Sequence, residues 1–111
     1  RAVTVKARLT RRRERETPEY CAMMRRMLRA HGRRVGDADP EDLAELVQLR
    51  GELDKAIAVA VQGQRRNGFS WAAIGRGLGV TRQAAQMTWG PAVEQLEHAE
   101  TRAMLREWAA G

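Results

Sequence analysis

The sequence is poor in the residues that build chemical centres. It has one cysteine, Cys21, so no intramolecular disulfide can form. With Ala22 and Met23 beside it, the thiol reads as part of an apolar helix in a reducing, cytoplasmic setting. The two histidines, His31 and His98, are far apart, and no Cys/His group has the spacing of a zinc site, so neither metal nor cofactor is expected. Gly75, Gly77 and Gly79 lack the preceding strand and the Lys-Ser/Thr pair of a phosphate-binding loop. Glu94, Glu97 and Glu100 recur at i, i+3 and i+6, which reads as a solvated acidic stripe rather than a paired acid and base. These absences leave no route to an enzyme and no evident small-molecule substrate. No run reaches the ~18 apolar residues that a membrane span needs, and no signal peptide is visible. The first residue is Arg1, so the sequence is expected to begin inside or just after the native start.

Acids are also missing from one particular place. None occurs between Arg65 and Gly90, a stretch holding four arginines. The whole chain carries 20 basic residues against 14 acidic ones, for a net charge of +6. Residues 1–34 sum to +9, residues 35–64 to −5, residues 65–90 to +4 and residues 91–111 to −2. Two basic regions separated by an acidic one imply one face for a polyanion and another for a different partner.

The chain is long enough for one self-sufficient core plus an arm. Val3, Val5, Ala7 and Leu9 alternate with Thr4, Lys6, Arg8 and Thr10, a period of two that predicts a strand or extended arm over residues 1–16. Arg11, Arg12 and Arg13 follow, either as a solvated tail or as a phosphate-contacting arm. Thr17-Pro18-Glu19 has the chemistry of a helix start, and Tyr20, Met23, Met24, Met27 and Leu28 then recur at helical spacing as a packing stripe. Asp39-Pro40-Glu41-Asp42 opens a second helix. Its apolar face runs through Leu43, Leu46, Val47, Leu49, Leu53, Ile57 and Val61 to about Gln64, with Gly51 and Gly63 weakening it and Arg50 interrupting a heptad-like seam. Residues 17–64 thus read as a helical dimerisation and support region, and 65–111 as a DNA-binding domain with a C-terminal helix.

Within that last region, Asn67-Gly68 stops the long helix and Ser70 caps a short one bearing Trp71, Ile74 and Leu78 on one face. Gly79 breaks it, Val80 is expected to plug the turn, and Thr81 caps a helix to Trp89 that Gly90-Pro91 should end. Two helices joined by so short a turn form a helix-turn-helix. Gly75 keeps the first helix bare so that the second can approach, while Ala85, Thr88 and Trp89 are expected to face inward. Thr81, Arg82, Gln83 and Gln86, with Met87 beside them, face outward on the first turns, where base contacts concentrate. Arginine can bond guanine and glutamine adenine in bidentate fashion. Arg65, Arg66, Ser70 and Arg76, with Arg11, Arg12 and Arg13, are the expected contacts to the DNA backbone.

The segment from Phe69-Ser70-Trp71 through Gly79-Val80-Thr81-Arg82-Gln83-Ala84 to Gln86 resembles the SWxxIGxxLGVxRQA motif of small bacterial helix-turn-helix regulators. It looks like those of actinobacteria and their phages, and is similar to the terminal helical domain of sigma factors. The resemblance covers about twenty-five residues, with looser support from Leu49 to Arg66. Thr88 departs from it, standing where the motif usually has an apolar residue. The expectation is therefore an all-α protein: a helix-turn-helix domain with a long preceding helix, a C-terminal helix and an extended basic arm. It would act as a homodimer on double-stranded DNA at the nucleoid, regulating transcription, with repression favoured because no effector pocket or activation surface is evident. Two other functions fit the same residues. One is an accessory factor for phage or plasmid replication, packaging or recombination. The other is a protein-interaction module of the sigma or anti-sigma kind.

Overall fold

A computed structural model describes the backbone of residues 2–111 and the side chains of residues 16–111. The described residues form helices only: α1 (Ala2–Gly36), α2 (Asp42–Arg66), α3 (Trp71–Leu78) and α4 (Arg82–Ala110). None of them is long and apolar enough to cross a membrane. The chain divides into two compact units, residues 1–48 and residues 49–111.

In the first unit, α1 corrects two expectations. It begins at Ala2, so the alternating segment is helix and not an extended arm, and Pro18 lies inside the helix instead of opening it. The reason is local. Ala7, Arg8, Leu9, Arg11–Arg13, Glu14, Arg15 and Glu16 are strong helix formers. A lone strand would also leave its ladder bonds unmade in a chain without a second strand. The side chains of Arg11, Arg12 and Arg13 lie outside the described ones. Of the expected packing stripe, Tyr20, Met23, Met24, Met27 and Leu28 are exposed, while Val35 is buried near the end of α1. The chain then turns through Asp37 N–H donating to Arg34 O and Ala38 N–H to Val35 O.

The second unit holds the later part of α2 with α3 and α4. The helix α2 is continuous through Gly51 and Gly63, and Asp42 and Glu45 in its first turn meet the positive end of its dipole. Its buried face is Ala58, Val61 and Gln62, with Leu49 and Leu53 left exposed. The expected apolar face coincides with the buried one only in part: Val61 is buried and Leu46 and Ile57 are half-buried, while Leu43, Val47, Leu49 and Leu53 are exposed. The helix ends where Gly68 adopts φ +91°. There Phe69 N–H donates to Gln64 O and Gly68 N–H to Arg65 O. These are the paired bonds of a glycine-terminated helix, and they satisfy carbonyls the helix would otherwise leave open.

The helix α4 runs unbroken past Gly90 and through Pro91. The two expected helices, one ending at Trp89 and one starting at Pro91, are thus a single element. Proline removes one helical bond, to the carbonyl of Met87. Met87 and Pro91 are both exposed, so water can serve that carbonyl. Beyond them Ala92, Glu94, Gln95, Leu96 and Glu97 restore helix-favouring chemistry. The core of this unit is small: Ala58, Val61, Ile74 and Ala85 are buried, and half-buried Trp71, Trp89, Val93 and Leu96 surround them.

Candidate nucleic-acid interface

The candidate site is built on the α3–α4 corner, and glycine makes the corner possible. Gly79 takes φ +74°, a left-handed conformation that costs a residue with a Cβ roughly 1–2 kcal/mol. Its N–H donates to Arg76 O at 3.2 Å and Val80 N–H donates to Gly75 O at 2.9 Å, closing α3 as Gly68 closes α2. Gly75 faces the turn itself. A Cβ there would stand 2.9 Å from Val80 O, 3.0 Å from Thr81 O and 3.1 Å from Arg82 N, all of them backbone atoms. The start of α4 therefore lies against bare α3 backbone, the close approach that the glycine was expected to allow.

Each helix of the corner has a side-chain cap. Ser70 Oγ accepts from Ala73 N–H at 3.1 Å, and Thr81 Oγ1 accepts from Ala84 N–H at 3.1 Å. Both hydroxyls still have a proton to donate to a ligand. Inward from the caps, Ile74 is 3 % exposed and Ala85 is fully buried. Two inward assignments are corrected. Val80 is 45 % exposed, so it does not plug the turn. Thr88 is exposed as well, and half-buried Trp89 does the packing in its place. For Val80 the cause is the close approach that Gly75 allows: its backbone lies against α3, and its side chain is left outside.

Arg82, Gln83, Gln86 and Met87 form an exposed outer face on the first turns of α4. Among the described side chains, no hydrogen bond or ion pair holds Arg82, Gln83 or Gln86. Arg76, in the last turn of α3, is likewise exposed and without an ion pair. Four polar groups are thus available to a ligand at no cost in broken internal bonds.

Arg65 and Arg66 are placed differently. Arg65 Nη1 donates to Phe69 O at 3.0 Å, and its guanidinium lies 5.2 Å over the Trp71 ring. It thus secures the α2–α3 turn and the start of α3, though its charge stays uncancelled. Arg66 is paired. Its Nη2 donates to Glu97 Oε2 at 3.0 Å and to Glu100 Oε2. Buried Gln62 reaches the same two acids, its amide nitrogen donating to Glu97 Oε1 at 3.0 Å and to Glu100 Oε1 at 3.2 Å. The Gln62 and Arg66 bonds hold the Glu97 carboxyl below the usual carboxylate range. Those from Glu100 and Glu97 push the Arg66 guanidinium still higher. One arginine and two carboxylates leave the cluster at −1, so it offers little to a phosphate.

The acidic stripe is therefore no bare solvated face: Glu97 and Glu100 tie α4 to α2. Its signal in the sequence is Gln62, a polar residue directly after Val61 on the inner side of α2. A buried amide requires a partner. The same two helices flank an open, mostly apolar groove of about 480 Å³, lined by Ala58, Val59, Trp89, Ala92 and Leu96 with Asp54, Lys55 and Gln95 at its edge. Among the described residues no group of three His, Cys, Asp or Glu side chains could hold a metal ion. Compared with protein-family models, curated proteins and solved structures, the chain matches none.

Proposed function

We propose that this chain is a sequence-specific double-stranded DNA-binding protein that regulates transcription, with α3 and α4 as its helix-turn-helix and α4 as the helix that enters the major groove. The observation that carries the reading is the unpaired outer face of Arg82, Gln83 and Gln86 on the first turns of α4. It lies just after a corner tightened by Gly75 and Gly79. Those side-chain types match guanine and adenine edges, and the first turns of the second helix are where such motifs read bases. Thr81 stands with the base-reading face, and Arg65, Arg76 and the Ser70 hydroxyl supply backbone contacts. The absence of any acid from residue 65 to residue 90 keeps repulsion off the phosphates. Arg66 contributes little unless it leaves Glu97 and Glu100.

The protein acts as a homodimer, two copies of α4 entering successive major grooves about 34 Å apart on a palindromic site. Support for association comes from Met104, Leu105 and Trp108, all exposed on the last turns of α4, with Trp108 82 % exposed. Occupying a promoter would make the protein a repressor.

The test is selection from a random duplex pool across a salt series, with wild type and the Arg82→Ala/Gln86→Ala double variant. The expected result is a palindrome enriched by the wild type and only weak, salt-sensitive binding by the variant. Failure of the wild type to enrich any sequence overturns the reading. Enriched sites clustered at a replication origin or packaging sequence rather than at promoters would assign the same chemistry to an accessory factor.

A further inference from the structure

Met87 is 71 % exposed, yet it stands amid the polar groups of the outer face of α4. At about 100° per residue it lies about 200° around the helix from Ala85, the fully buried residue of these turns. It therefore points almost directly away from the core. Gln83 is one turn before it, on the same face, and Gln86 is its neighbour. A packing residue would not be placed there, because no part of the unit can cover it without also covering the glutamines.

The chemistry of the major groove supplies a partner. Base edges there offer donors and acceptors and only one apolar group, the C5 methyl of thymine. That methyl shares an A·T edge with the adenine N6 and N7 that a glutamine bonds in bidentate fashion. A glutamine on adenine thus brings an adjacent apolar side chain to the thymine of the same pair or the next one. The unbranched, polarizable thioether of methionine adapts to such a contact without requiring a single geometry. Spacing adds a constraint. Met87 stands five positions beyond Arg82, about 7.5 Å along the helix axis and about 140° around it, so the two side chains meet different bases, whereas Gln83 and Met87 share one stripe.

We infer that Met87 is a specificity-determining residue that reads a thymine C5 methyl, in an A·T pair at or next to the one contacted by Gln83. This rests on the DNA-binding reading of α4 and adds the identity of a base to it. The contact is worth about one buried methyl, so its loss should weaken binding roughly three- to fivefold.

The experiment uses the full chain and the half-site that it enriches. Each thymine is replaced singly by deoxyuridine, which removes only the methyl, and Kd is measured by fluorescence anisotropy for wild type, Met87→Ala and Met87→Leu. Expected is one thymine per half-site whose replacement weakens wild-type binding about three- to fivefold. The same replacement should leave Met87→Ala unaffected, with Met87→Leu keeping most of the sensitivity. A half-site with no enriched thymine overturns the inference, as does a methyl effect of equal size in wild type and Met87→Ala. In both cases the DNA-binding reading stands. If the wild type enriches no duplex, that reading fails and the inference falls with it. The exposure of Met87 makes loss of fold a remote explanation, and circular dichroism of both variants checks it.

Discussion

Gly75→Ala asks directly whether the α3–α4 corner is as tight as described. A methyl at this position meets three backbone atoms at 2.9, 3.0 and 3.1 Å, so no side-chain rotation can relieve it. Either α4 moves away from α3 or the turn deforms. Overfilling of a packed site of this kind costs about 1–3 kcal/mol, and contact with backbone favours the upper half of that range. Against it stands the gain in helix propensity, about 1 kcal/mol for alanine over glycine. The net expectation is a loss of about 1–2 kcal/mol. In a unit of 63 residues (49–111) that lowers Tm by roughly 4–16 °C. Gly77→Ala is the matched control. It lies in the same helix with nothing within 4 Å of the added carbon, so the propensity gain should appear alone. Thermal and urea unfolding of both variants, followed by far-ultraviolet circular dichroism, give the comparison. If Gly75→Ala is as stable as wild type, the close approach of α3 and α4 is refuted, and with it the account of why Val80 is exposed.

The other expectations concern the caps, the acid pair and the outer face. Thr81→Ala removes the acceptor for Ala84 N–H and should cost about 1 kcal/mol, with Thr81→Ser restoring most of it in the same melts. Glu97 titrates below the usual carboxylate range because of Gln62 and Arg66. A carboxyl depressed in the folded state contributes stability at pH above its unfolded value, and that contribution disappears as pH falls through the folded value. Urea unfolding across acidic pH should therefore show a smaller pH dependence for Glu97→Gln than for wild type; unchanged slopes would contradict the link. Gln62→Leu should move the Glu97 titration back toward the ordinary carboxylate range in carboxyl-carbon NMR, because its largest perturbing bond is gone. Arg82→Ala/Gln86→Ala, at exposed positions without internal partners, should change stability by no more than about 0.5 kcal/mol. A large loss would mean that these side chains support the fold.

What the sequence by itself determined are the features set within a few residues of chain. Ser70 and Thr81 cap because a short hydroxyl side chain reaches the N–H three residues on. Gly68 and Gly79 end helices because only a residue without Cβ takes a positive φ cheaply. Gln83 faces outward because helical period sets it opposite buried Ala85, and Gln86 stands about 100° from Ala85; Arg82, one turn before Ala85, is exposed because it opens the helix. Tertiary structure decided what depends on distant neighbours. Pro18 and Pro91 belong to neither group: they read as helix boundaries, yet α1 and α4 continue through them for a local reason, the helix-favouring residues on either side. Val80 looked like a plug, but the turn lies against the bare backbone of Gly75 and leaves it outside, and Thr88 looked like an inner residue, but Trp89 takes the half-buried position beside it. Arg66 carries the same charge in any reading of the sequence. Only the arrival of Glu97 and Glu100 beside it, from 31 and 34 residues away, shows that its charge is already matched within the protein.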